Sequence, residues 1–169
     1  MKDWKKIGSF SVITAVVVVA DHAVKLLAAH FLPGGVQHSL LADTLRLEGM
    51  YNTGAILGLG SQLPEGMRIW MMPAVTAAVL LWVGVLMIRE KEFDWAFAGL
   101  SFVWAGGFSN LVDRLAYGKV FDFFNIGIGS IRTGTSNLAD VAIVVGVPLI
   151  MIGWMRSRTE PAGIGTTEG

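Results

Sequence analysis

Four long apolar stretches constrain this chain more than any other feature. They cover residues 7–32, 67–88, 95–112 and 138–154, and only the first is interrupted by ionisable groups on both signs of charge, Asp21 and Lys25. A helix needs roughly 20 mostly apolar residues to cross a bilayer, and a spanning segment must satisfy its own backbone hydrogen bonds, which a helix does. None of the four has the polar face of a soluble bundle helix. Charged residues make up 15% of the chain, against about 25% in soluble domains, so lipid is the expected solvent. The predicted fold is an all-α membrane protein with four transmembrane helices, one domain over residues 1–158, and a disordered cytoplasmic tail at 159–169. Pro73 and Pro148 fall inside the second and fourth stretches, where packed neighbours tolerate them. Val18-Val19-Ala20 could pass for a cleavage site after a basic start. The apolar pattern resumes after Asp21, however, which suits a retained, tilted helix.

Lysine and arginine set the expected orientation. Lys2, Lys5 and Lys6 precede the first stretch, Arg89 and Lys91 lie between the second and third, and Arg156 and Arg158 follow the fourth. Both termini are therefore expected in the cytoplasm, with segments 33–66 and 113–137 outside. In the first outer segment Thr44-Leu45-Arg46-Leu47-Glu48 alternates polar and apolar like a short strand. Asn52-Thr53-Gly54 reads as a turn, and residues 55–63 as an apolar, glycine-rich piece at the membrane interface. Zero net charge gives no basic field for nucleic acid. The lack of cysteine excludes disulfides, thiol catalysis and thiolate metal sites.

Ionisable residues within membrane helices are costly and mark candidate sites. Asp21 and Lys25, one turn apart, read as a structural ion pair or as the wall of an outward-facing polar cavity. One pattern occurs twice: Asn110-Leu111-Val112-Asp113 at the outer end of the third stretch and Asn137-Leu138-Ala139-Asp140 at the outer start of the fourth. Antiparallel neighbours would bring Asp113 and Asp140 together at one depth. Two carboxylates about 3 Å apart share one proton, so the charged member can activate water while the protonated one polarises a scissile carbonyl. Alone, Asp140 could be an early-turn acid favoured by the helix dipole. Arg114 is placed to hold substrate backbone or stabilise negative charge. His22, His30 and His38 fit no metal pattern and read as interfacial or loop residues. Ser109 lacks an evident histidine partner. Asp122, in the outer connection, is expected to lie apart from the aspartate pair. A small proton-coupled transporter is the competing reading.

These segments resemble the prolipoprotein signal peptidase (signal peptidase II) family. Asp21-His22-Ala23-Val24-Lys25, Asn52-Thr53-Gly54-Ala55, Gly106-Gly107-Phe108-Ser109-Asn110-Leu111-Val112-Asp113-Arg114, Val120-Phe121-Asp122-Phe123 and Asn137-Leu138-Ala139-Asp140 carry the likeness, in the family's order. The resemblance implies an aspartic endopeptidase with Asp113 and Asp140 as its dyad. It puts Asp21, Lys25, Asn52, Gly54, Asn110, Arg114 and Asn137 around the substrate. It further implies cleavage before a diacylglyceryl-modified cysteine in prolipoproteins, without metal or cofactor, by a monomer in contact with membrane lipid. The site would face outward from the bacterial inner membrane, and segment 33–66 would form a β-cradle and an interfacial helix. Ser109, Ser136 and Val141 depart from the family's usual Gly, Phe and Ser at those places.

Overall fold

The computed structural model describes residues 2–33, 36–54, 64–90 and 93–159. The interfacial segment expected at 55–63 and the tail beyond 159 lie outside the described residues. Among the described residues, four helices and the strands of a small sheet alternate. Helices α1 (Lys2–Phe31), α2 (Glu65–Arg89), α3 (Trp95–Tyr117) and α4 (Leu138–Thr159) are joined by strands β1 (Gln37–Leu40) and β2 (Leu45–Asn52) after α1, and by β3 (Val120–Ile128) and β4 (Ile131–Arg132) after α3. All four helices are long and apolar enough to cross a membrane. Their lipid-side positions remain apolar though exposed, as at Val16, Leu26, Trp70, Leu81 and Val144.

Helix α3 is the central one: 50% of its most apolar window is buried, against 17–22% for the others. Without a hydrophobic drive between helices in lipid, close packing depends on small residues. Gly99 of α3 lies against Gly146 of α4, where an added Cβ would come within 2.5 Å of the Gly146 carbonyl oxygen, and Gly106 abuts the Ala139 backbone. Gly107 faces Leu80 of α2 instead. Gly106 and Gly107 thus pack against two different neighbours. At the end away from the sheet, Val83, Met87, Phe97 and Leu100 form a core cluster. There the Lys6 ammonium donates to the Glu90 carbonyl oxygen at 2.5 Å, and Trp154 Nε1 donates to the Glu90 carboxylate at 2.9 Å.

The helix ends extend beyond the apolar stretches. Helix α3 continues past residue 112 to Tyr117 and stops at Gly118, which takes the left-handed conformation (φ 68°) and donates its N–H to the Arg114 carbonyl. Asp113 therefore sits one turn inside the helix rather than at its tip.

The strands make one antiparallel sheet in the order β1-β2-β3-β4. The strand expected near Thr44–Glu48 forms as β2 and runs on to Asn52. Its pairing with β3 places Met50 opposite Asp122 and Asn52 opposite Val120, with a register shift between Leu47 and Met50. At the far tip, Leu41, Ala42 and Asp43 all have positive φ. Asp43 is clamped by Arg46 at 2.6–2.7 Å and by the Ser39 hydroxyl. Those bonds, the Arg46 one foremost, hold the Asp43 carboxyl well below the usual carboxylate range.

Candidate functional site

The sheet-bearing ends of the helices surround a polar cluster. In α1, the Asp21 carboxylate is fully buried and meets the Lys25 ammonium at 2.6 Å, the one-turn pairing expected from their spacing. Lys25 also donates to Asp113 Oδ2 at 2.6 Å and to Asn110 Oδ1 at 3.1 Å. Its three protons are therefore all placed. The second oxygen of Asp21 accepts from the backbone N–H of Ala139 at 2.9 Å, tying α1 to the start of α4.

The two Asn-x-x-Asp patterns play different parts. Asn137 and Asp140 form a reciprocal cap on α4: Asp140 N donates to Asn137 Oδ1 at 3.0 Å, and Asn137 N donates to Asp140 Oδ2 at 3.1 Å. That is capping-box geometry, with an acid at the third helical position. Asn110 and Asp113 lie inside α3. Asn110 Nδ2 donates to Asp140 Oδ1 at 2.9 Å. The link between Asp113 and Asp140 thus runs through Lys25 and Asn110.

Asp122 corrects the sequence reading, which set it apart from the helix ends. Strand β3 carries it back under α4, where it is 2% exposed. Asn137 Nδ2 donates to its Oδ1 at 2.6 Å, and Asn52 Nδ2 to its Oδ2 at 3.0 Å. Burial pushes the Asp122 carboxyl up to about 6; the amide of Asn52 opposes this and the charge of Asp140 adds to it. The available signal was a carboxylate inside the apolar run Val120-Phe121-Asp122-Phe123-Phe124, which is costly to bury unless the fold uses it.

The remaining expected residues converge on the same place. Gly54 (φ 115°) closes a turn in which its N–H donates to Asn52 Oδ1 at 2.8 Å, so it aims the Asn52 amide at Asp122. Arg114 lies within electrostatic reach of Asp122, Asp140 and Asp113. Its Nη1 donates to the Asn110 carbonyl at 3.3 Å, and its buried Nε has no partner among the described residues. A cavity of about 310 Å³ opens beside the cluster, lined by His22, Lys25, Leu26, Tyr51, Asp113 and Phe121 among others. Lys119 stands at its wall with its ammonium 3.8 Å from the Tyr51 ring centroid.

Two further corrections concern His22 and Ser109. His22 is no interfacial bystander: its Nε2 is 3.3 Å from Asp113 Oδ1. Ser109 does have a histidine near it, with its Oγ 3.2 Å from His22 Nδ1. It is not a nucleophile, because it is fully buried and its hydroxyl donates to Asp21 Oδ2 at 2.7 Å. Among the described residues no three of His, Cys, Asp and Glu converge to hold a metal ion.

Comparison with known proteins adds an independent line. A family model described as signal peptidase (SPase) II matches residues 13–156. The lipoprotein signal peptidase of Brevibacillus brevis is 31% identical over 144 residues, covering 85% of this chain and 92% of the relative. That of Hydrogenovibrio crunogenus is 30% identical over 159 residues, covering 90% of each. A solved structure described as a bacterial membrane enzyme, obtained by the in meso method at 2.3 Å resolution, shares the fold with a TM-score of 0.77 at 24% identity, covering 93% of this chain and 94% of that one.

Proposed function

We propose, for a chain that belongs to the signal peptidase II family, that it removes signal peptides from prolipoproteins as an aspartic peptidase whose reacting carboxylates are Asp122 and Asp140. It is a multi-pass protease of the bacterial inner membrane. The observation that carries the choice of carboxylates is their shared partner: Asn137 donates to both, through its side chain to Asp122 and through its backbone to Asp140. Among the described residues neither has a lysine or arginine as a hydrogen-bond partner, whereas Asp113 is held by Lys25 at 2.6 Å. A carboxylate neutralised by a fixed ammonium is a poor base. One surrounded by amides can gain and lose a proton during a reaction.

Asp122, buried and pushed up to about 6, is the member that holds the shared proton and polarises the scissile carbonyl. Asp140, partly buried at the start of α4, takes a proton from the attacking water. The developing negative charge lies near Arg114, and the proton on the pair then passes to the leaving amine. Asn110, Asn137 and Asn52 fix the two carboxyl groups, and Asp113 with Asp21 and Lys25 forms the scaffold beneath them. This assignment keeps Asp140 from the sequence reading and replaces Asp113 with Asp122. The diacylglyceryl group of the substrate would partition into the bilayer beside the site and orient the scissile bond.

The basic residues Lys5, Lys6, Arg89, Arg156 and Arg158 lie at the helix ends opposite the sheet, which supports cytoplasmic termini and an outward-facing site. Cleavage of a diacylglyceryl-modified precursor by purified protein tests the function. Asp122→Asn and Asp140→Asn are each expected to lose about 10³-fold or more in kcat/KM while remaining folded, the scale of residues that act as a unit. Near-normal turnover by Asp122→Asn together with a dead Asp113→Asn would return the role to Asp113.

A further inference from the structure

His22 carries a geometric demand that the peptidase reading leaves unused. Its Nδ1 is 3.0 Å from the Val18 carbonyl oxygen, and a carbonyl only accepts, so Nδ1 bears a proton. The Ser109 hydroxyl cannot relieve this, since its own proton goes to Asp21 and it meets the ring as an acceptor. A neutral imidazole has one N–H. With that proton on Nδ1, Nε2 would turn a lone pair toward Asp113 Oδ1, 3.3 Å away. Asp113 Oδ2 already accepts from the Lys25 ammonium, and attraction to that cation opposes placing the missing proton on Asp113. The contact closes when both ring nitrogens are protonated.

We propose that His22 is a positioning residue that holds Asp113 as an imidazolium. The cluster then balances: Asp21 and Asp113 supply two negative charges, and Lys25 and His22 two positive ones. The groups around the ring are Lys25 on its own helix, Asp113, Ser109 and Tyr117 from α3, and Lys119 and Tyr51 across the cavity, with Asp21 reached through the Ser109 hydroxyl. His22 lines that cavity, which gives its proton a path to water. When the proton leaves, Asp113 keeps only Lys25 as a cationic partner. Lys25 also orients Asn110, whose amide donates to Asp140, so the change reaches the reacting pair. Ser109 joins the ring to Asp21 and so belongs to the same device. The inference rests on the reading of Asp113 as scaffold.

The test pairs kinetics with a measurement that needs no catalysis. Nitrogen-15 NMR of the histidine ring in detergent micelles at neutral pH is expected to show two protonated nitrogens at His22, and one in Asp113→Asn. His22→Gln can still donate to Asp113 and should recover most of what His22→Leu loses in kcat/KM. His22→Leu cannot donate, and should cost about tenfold or more beyond the Gln variant, the scale of a lost charge-assisted hydrogen bond. Equal kcat/KM in His22→Leu and His22→Gln, or a wild-type His22 ring with a single proton, would overturn the proposal. The NMR result stands or fails whatever Asp122→Asn and Asp140→Asn do to turnover, so the two readings are separately exposed.

Discussion

Two carboxylate clusters sit side by side in this molecule, with Asn110 bridging them. Around Lys25, Asp21 and Asp113 are held at 2.6 Å by one ammonium. Around Asn137, Asp122 and Asp140 are held by amide and backbone N–H groups. Both clusters lie at the same end of the helices and both are largely withdrawn from solvent, so burial does not distinguish them. The nature of the partner does. A buried carboxylate facing a fixed cation has its charge settled, and serves to lock α1 against α3 and α4. A buried carboxylate whose hydrogen bonds come from amides rather than from a fixed cation keeps a proton within reach, which is what acid–base hydrolysis requires.

Removing the cation breaks the first cluster and should have the largest effect on stability. Lys25→Met leaves Asp21 buried without a cation and Asp113 with His22 alone, and breaking a buried pair in this way costs about 3–5 kcal/mol. A large drop in thermal unfolding temperature in detergent checks this, and an unchanged melt would mean that the ion pairs are dispensable. The second cluster should reveal itself through pH. Asp122 binds its proton more tightly in the folded state, at about 6 against 3.8 in the reference state. Its contribution to stability is therefore complete below about pH 4 and is lost as pH rises through 6, amounting to roughly 3 kcal/mol at 1.36 kcal/mol per unit. Unfolding measured from pH 4 to 7 should show that decline in the wild type and lack it in Asp122→Asn.

A smaller effect separates the clusters kinetically. Asp113→Asn retains the shape of the side chain and an oxygen for Lys25, and is expected to lower kcat/KM by no more than about 10²-fold, less than loss of a general base within a coupled pair. A loss as deep as that of Asp140→Asn would erase the distinction between scaffold and reacting pair. The smallest effect is expected at the outer tip of the sheet. The Arg46–Asp43 pair is exposed, and surface pairs contribute little, so Arg46→Ala should leave the melting temperature and turnover nearly unchanged.

Much of this arrangement was legible in the sequence because single segments carried it. The second Asn-x-x-Asp unit is a local cap, made within four residues of each other, and Asp21 and Lys25 meet one turn apart on one helix. The turn at Asn52-Thr53-Gly54 likewise depends on its own residues. Asp122 was not legible in the same way. A residue in a connection has no fixed relation to helix ends until strand pairing is known, and here the β2–β3 register folds it back against Asn137 and Asn52. His22 and Ser109 escaped for a related reason. They are 87 positions apart, and their meeting depends on the rotation of α1 against α3.

The sequence by itself determined the medium, the number of spans and the set of polar residues that such a chain can afford to keep inside it. Those follow from composition and from periodicity along one segment, because lipid forbids unsatisfied backbone and makes each buried charge expensive. The tertiary structure decided how those polar residues are shared out. Which carboxylate is hydrogen-bonded by Lys25 and which by amides is set by helix rotation, by backbone contact at Gly99 and Gly106, and by strand register. These are contacts between distant segments, and that division separates scaffold from the proposed reacting pair.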